Sequence, residues 1–228
     1  RKNTGDFFFS TAKSGESTVE SVVSLMARRI PGHFGIPQGE IQVICPSRQG
    51  VCGTVNLNGR LQAALNPGGG DKGETLFGDT TFRLGDRVMQ TRNNYDVIWE
   101  KDDGTAGSGI FNGDVGVIQD IDPSGELIVI RFDDRTATYT ADMLAQLDMA
   151  YAITVHKSQG SEYPAVILTA APAAPTLMVR GVLYTAITRA RRLLILVGDD
   201  TVPGEMAAND RQQRRYSGLR RRLKEGLT

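Results

Sequence analysis

YAITVHKSQGSEYPAVILTAAPAAPTLMVRGVLYTAITRARR, residues 151–192, alternates strand-sized apolar runs with one loop dense in polar groups. Ile153, Thr154 and Val155 read as the end of a strand. The loop behind them, His156-Lys157-Ser158-Gln159-Gly160-Ser161-Glu162, offers donors, acceptors, both charges and a glycine. Ala165 to Leu168 is a second short apolar run, read as a buried strand. Val182, Leu183, Ala186, Ile187 and Ala190 then recur at helical spacing, which predicts a helix with one buried face. Arg189, Arg191 and Arg192 gather at its C-terminal end, where cations suit the helix dipole. Arg189 falls at the edge of the apolar stripe, and from there a guanidinium can meet a phosphate bidentately. Loops leaving buried strands are where α/β proteins hold such ligands.

Upstream, the pattern repeats the same grammar. Residues 6–10 (DFFFS) read as a buried strand, and Ser17-Thr18-Val19-Glu20 as a capping box. Val19, Val22, Val23, Met26, Ala27 and Ile30 mark one helical face, which Pro31-Gly32 is expected to end. Residues 41–44 (IQVI) form the next strand. They run into Cys45-Pro46-Ser47-Arg48-Gln49-Gly50, and a helix follows from about Thr54 until Asn66-Pro67-Gly68. Strand, helix, strand, loop, helix specifies a parallel sheet with covering helices. Arg48 sits just past a strand's C-terminal end. Residues 68–78 (GGGDKGETLFG) contain glycines and a lysine but no Gly-Lys-Ser/Thr, so they read as a mobile linker and not a P-loop.

From residue 81 to about 147 the texture changes to short alternating runs separated by Asn-Gly, Pro-Ser-Gly and Asp-Asp turns. That predicts a small antiparallel barrel, with residues 102–109 (DDGTAGSG) as a polar, mobile hairpin tip. Leu193 to Val197 is a last buried strand. The fold class is therefore α/β: residues 1–79 and 148–200 form a parallel-sheet domain, residues 80–147 an inserted barrel, and residues 201–228 a basic tail.

TVHKSQGSE followed by LYTAITRARR resembles motifs V and VI of superfamily 1 helicases, in the RecD-type variety. VICPSRQG is similar to that group's motif IV region, and FRLGDRVMQTRNNY to the opening of its SH3-like barrel. The resemblance implies a RecA-like motor domain of an ATP-dependent 5′-to-3′ DNA helicase, with roles in DNA repair and recombination. It assigns Arg189 the arginine-finger role. Arg48 would make a γ-phosphate contact, and Gln159, Gly160 and Glu162 would lie against the nucleotide. Thr154, His156, Ser158 and Asn93 would contact single-stranded DNA. A turn role for Asn93 stays equally open. ATP and Mg2+ are the implied cofactors, the Mg2+ ligands being expected from an N-terminal RecA-like domain of the same protein. A nuclease complex is a further open partner. No GxxxxGK[ST] occurs in the chain, so by itself it is expected to be inactive as an ATPase.

Composition limits the alternatives. With 26 basic and 26 acidic residues the chain is neutral, so any phosphate-binding surface must be local. Residues 211–224 concentrate basic side chains and read as a solvated terminal helix, with a phosphate or partner contact as the open alternative. Two cysteines suggest neither a disulfide scaffold nor a zinc site. No run is long enough to span a membrane, and no secretory signal is visible, so a cytoplasmic protein is expected. Because the chain opens on Arg1, a piece of a longer protein or a mature product is expected too. Two other readings remain at this stage: a degenerate helicase-like module that binds single strands or a partner, and the helicase part of a conjugative relaxase.

Overall fold

The computed structural model describes residues 5–70 and 72–211. Strand β1 (Phe7–Thr11) is an edge strand, half exposed rather than buried, with Phe7 open to solvent. Helix α1 (Gly15–Ser24) starts one turn earlier than Ser17 suggests. Ser14 is the N-cap, and its hydroxyl accepts from Ser17 N–H while Ser17 closes the box. Pro31 does not end this helix. A π-turn (Leu25–Arg29) carries the chain into α2 (Ile30–Phe34), with Ile30 N–H reaching back to Leu25 O. Proline leaves Ala27 O without its usual donor, and Gln38 Nε2 donates to that carbonyl at 3.0 Å. Gly35, left-handed at φ 67°, stops the helix. Strand β2 (Ile41–Cys45) is buried throughout, and α3 (Thr54–Leu65) follows its turn.

The expected linker is partly structured. Strands β3 (Glu74–Phe77) and β4 (Thr80–Arg83) form a hairpin, closed by an Arg83–Glu74 ion pair at 2.8 Å. Next come β5 (Arg87–Gln90), β6 (Asn94–Lys101), β7 (Ala106–Ile110), β8 (Val115–Ile121), β9 (Leu127–Phe132), β10 (Arg135–Thr140) and β11 (Leu147–Met149). They make one antiparallel sheet in the order β11-β5-β8-β9-β10-β6-β7, around Val88, Ile118, Ile130, Phe132 and Tyr139. The β6–β7 tip is shorter than residues 102–109. Ala106 already pairs with Glu100, and Asp102 takes a two-pronged contact from Arg131 at 2.8 and 2.6 Å.

Strand β12 (Ala152–Thr154) returns the chain to the first sheet. Strand β13 (Tyr163–Ala170), helix α4 (Arg180–Ile187), strand β14 (Ala190–Gly198) and helix α5 (Thr201–Ala208) complete it. Ala190 therefore opens a strand instead of extending the helix, because Tyr163 pairs with it. The five strands are all parallel, in the order β1-β14-β13-β2-β12. One face packs Val43, Ile167 and Ile195 against α1 and α3. The other packs Val166, Leu168 and Leu196 against α4 and α5. Of the expected 201–228 tail, α5 carries no basic residue, and the basic stretch past Arg211 lies outside the described residues.

Asp86 joins the two sheets. It is fully buried and accepts from Gln62 Nε2 on α3 and Asn66 Nδ2 just past its end (2.6 Å each), from Tyr151 Oη at 2.9 Å and from Arg83 N–H at 2.8 Å. Asn66 Oδ1 in turn accepts from Lys72 Nζ. Arg87 adds a second tie, donating to Ile41 O at 3.1 Å and Gly39 O at 3.3 Å.

Candidate functional site

A parallel sheet gives every strand the same direction, so its two edges are chemically distinct. Thr154 pairs with Cys45 at the C-terminal edge, and Tyr163 pairs with Ala190 at the N-terminal edge. Residues 155–162 cross between them in a chain of turns. Ser158 N–H donates to Thr154 O, Gln159 N–H to His156 O and Ser161 N–H to Ser158 O. Gly160 takes φ 84° at the surface, a conformation favouring glycine.

At the N-terminal edge Arg189 is fixed by its surroundings. Its Nε donates to Thr185 O at 3.0 Å, Nη1 to Ser161 O at 2.9 Å and Nη2 to Thr188 Oγ1 at 3.2 Å. Its own carbonyl accepts from Tyr163 N–H at 2.8 Å. A guanidinium has five N–H donors, and these three bonds leave two unengaged among the described residues. Beside it, Glu162 accepts from Arg191 Nε at 2.7 Å. That hydrogen bond, with the charges of Arg191 and then Arg189, holds the Glu162 carboxyl below the ordinary glutamate range. Gln159 and Gly160 are exposed on the same crossing. Arg189, Gln159, Gly160 and Glu162 are thus on or beside one short loop.

The C-terminal edge holds a different group. The turn after β2 folds back so that Arg48 O accepts from Val55 N–H at 3.2 Å. Gly53 permits this, since a Cβ there would lie 2.4 Å from Gln49 O and 2.5 Å from Arg48 O. The Arg48 side chain is 61% exposed and meets Asp148 Oδ1 at 3.5 Å. Lys157 Nζ reaches the other oxygen of Asp148 at 3.2 Å. Thr154 is half-buried, with Oγ1 accepting from Lys157 N–H at 3.4 Å, and His156 is exposed.

Arg48 and Arg189 share no contact among the described residues and follow opposite edges of the sheet, the six strand steps from Tyr163 to Thr169 spanning about 20 Å at about 3.3 Å per residue. One expectation from sequence does not survive these positions. Ser158 is fully buried, and its hydroxyl donates to Val155 O at 2.8 Å, so it braces the turn and offers nothing to solvent. Asn93 accepts from Asn112 N–H at 3.0 Å, a turn contact within the antiparallel sheet. Sequence reading overlooked Asp148, whose only signal was an acidic residue three positions before Tyr151.

Known proteins resemble this chain over most of its length. A family model described as ATP-dependent RecD-like DNA helicase SH3 domain matches residues 57–132, and one described as UvrD-like helicase C-terminal domain matches residues 149–197. The chain is 33% identical over 199 residues to the ATP-dependent RecD2 DNA helicase of Deinococcus radiodurans, covering 87% of this chain and 25% of that protein. It is 31% identical over 185 residues to the RecBCD enzyme subunit RecD of Mycolicibacterium smegmatis, covering 81% of this chain and 29% of the relative. It therefore spans less than a third of these relatives' length. A solved Bacteroides Pif1 helicase in complex with ADP-AlF3 and ssDNA overlaps 94% of this chain and 50% of its own, at 17% identity and a TM-score of 0.48. A RecD-like SH3 domain followed directly by a UvrD-like helicase domain, at this identity to RecD2 and RecD over most of its length, makes the chain a member of the RecD-type superfamily 1 helicases.

Proposed function

We propose that the chain is the second RecA-like half of an ATP-dependent 5′-to-3′ DNA helicase motor, built from residues 1–79 and 148–200 with residues 80–147 inserted as a barrel. Its N-terminal edge contributes to a nucleotide site completed by a P-loop domain of the same protein. Arg189 is the arginine finger, stabilising charge on the transferred phosphoryl; Gln159, Gly160 and Glu162 line the nucleotide. Thr154 and His156, at the far end of the same crossing, hold single-stranded DNA. One loop then joins the two ligands, and closure on ATP shifts the grip on the strand. A nuclease complex in the cytoplasm is a setting in which such a motor works.

The observation that carries this reading is the fixation of Arg189. A finger acts by preorganisation: its donors must be aimed before charge develops. Three hydrogen bonds lock this guanidinium against the loop and helix while two N–H groups remain for a ligand. The donor set suits a polyphosphate. Mg2+ ligands would come from the P-loop domain.

The test is DNA-stimulated ATP hydrolysis by a protein that joins this chain to its P-loop domain. Arg189→Ala is expected to lower turnover at least about tenfold, fingers contributing on the order of 10³ or more, with the fold unchanged by circular dichroism. Wild-type turnover in that variant rejects the finger assignment. The chain alone is expected to show no ATPase.

A further inference from the structure

Charge is unevenly shared along this neutral chain. Residues 80–147, which bear most of the antiparallel sheet, hold 12 acidic and 6 basic side chains. Residues 211–224 hold seven basic side chains and no acidic one, and the rest of the chain is nearly balanced at 13 basic against 14 acidic. The negative excess therefore belongs to the antiparallel sheet and the positive excess to one short segment. On the sheet, an open groove of about 540 Å³ gathers carboxylates around an apolar floor. Asp96, Ile98 and Glu100 alternate along β6 and line it, with Thr136 and Thr138 of β10 and Met143 beside them. Ile98 is 72% exposed, the most accessible large apolar side chain among the described residues. The cations next to the groove are engaged already: Lys101 pairs with Asp134 at 2.8 Å and Arg131 with Asp102 at 2.6 Å. With those partners counted, four carboxylates face two cations. Asp96 and Glu100 have no ion pair among the described residues.

We propose that this groove is the docking site of the chain's own basic segment, residues 211–224. The chemistry of the two is complementary. The segment interleaves arginines with Tyr216, Leu219 and Leu223, and the groove sets an exposed isoleucine between two carboxylates that lack a cation. Its apolar side chains cover Ile98, and its cations meet Asp96 and Glu100, a match of opposite potentials that fixes which surface is chosen. Length permits it: residues 212–224 reach about 43 Å when extended, against a radius of gyration of about 17 Å for a chain of this size. Docking offsets the self-repulsion of the antiparallel sheet and withdraws the segment's cations from other polyanions. The proposal does not depend on the nucleotide and strand roles above, since none of those residues lines the groove.

The test uses Trp99, the single tryptophan of the chain, which stands between Ile98 and Glu100 on β6. In the full chain, Cys52→Ser and Ser217→Cys leave one accessible thiol for a dansyl label, Cys45 being buried. Energy transfer from Trp99 to dansyl is then followed against salt. Transfer is expected to be high at low salt and to fall at least about twofold by about 1 M, where charges are screened beyond about 3 Å. Asp96→Lys with Glu100→Lys should lower it at least about twofold at low salt, with circular dichroism unchanged. The neutral pair Asp96→Asn with Glu100→Gln should fall between that variant and the parent, and Ile98→Ser should lower transfer as well. Asp120→Lys with Glu126→Lys, the same reversal outside the groove, should leave transfer as it was. Low transfer in the parent at low salt overturns the proposal, and so does full transfer in the groove reversal. Equal losses in the two reversals would mean that the segment follows diffuse charge and has no groove. Transfer that rises with protein concentration assigns the segment to a second copy and overturns docking within one chain.

Discussion

The two edges of the parallel sheet each present an arginine, and they present it in opposite ways. Arg189 is held by three hydrogen bonds and has two N–H groups left over. Arg48 has one long contact to a carboxylate that it shares with Lys157. Rigidity suits charge that appears at a single point for the duration of a reaction, because the donors need not reorganise. On the function proposed above, Arg189 is the preorganised one of the two, through the backbone carbonyls within its reach, and residues 155–162 link the two edges.

The contrast breaks most sharply if the two arginines are interchangeable in effect. Arg189→Lys in a P-loop-containing protein is expected to lose most of the finger's contribution, a fall of at least about tenfold in turnover. An ammonium cannot reproduce the planar fork that spans Thr185, Ser161 and Thr188. Arg48→Lys, at an exposed single contact, should keep turnover within about twofold when the DNA concentration is saturating. Equal losses in the two variants would mean that both serve one ligand, against the separation of the edges.

Much of this frame is legible in the residues. The buried strands are continuous apolar runs flanked by helical periodicity, and the antiparallel insert announces itself by alternation and turn residues. What escapes reading is whatever depends on contacts distant in sequence. Pro31 ends a helix by local rules, yet Gln38 supplies the donor it lacks and the helix continues. Ala190 fits the helical stripe of α4, but pairing with Tyr163 makes it a strand residue. Ser158 has the chemistry of a phosphate ligand and is buried by its own turn. Arg48 and Arg189 both border strand ends, and only strand direction reveals that these are different edges.

The sheet that bears both edges also docks on the antiparallel one, and Asp86 is the residue that ties them. It satisfies Gln62, Asn66, Tyr151 and Arg83 at once, and Tyr151 opens the segment that bears both candidate sites. Burial, then the Asp86 charge, raises the Tyr151 phenol far above the usual tyrosine value, so it stays a donor. Asp86→Ala leaves these buried donors unpaired, at about 1–3 kcal/mol for each that finds no water. A loss of roughly 3 kcal/mol in chemical denaturation is expected. Asp86→Asn should lose less, since an amide oxygen still accepts. A loss under about 1 kcal/mol for the alanine variant would show that water replaces the carboxylate, and that Asp86 is not what ties the two sheets.

The finest difference between the edges is electrostatic. Glu162 and Arg191 are an exposed pair at 2.7 Å, with side chains 48% and 64% accessible, so their worth to the fold is small. Their effect on titration is not hidden by that. The Arg191 hydrogen bond is the largest cause of the depressed Glu162 carboxyl, ahead of the charges of Arg191 and Arg189. A carboxyl lowered in the folded state adds stability that is complete above its ordinary value and fades as pH falls through the depressed one. Removing Arg191 should therefore move the Glu162 midpoint, followed by carboxyl-carbon NMR, upward toward an ordinary glutamate. Removing Arg189 should move it the same way by a smaller step, because that arginine acts through charge alone. If Arg189→Ala gave the larger shift, Arg189 would be turned toward the carboxylate in solution and its two remaining N–H groups would not be open to a phosphate.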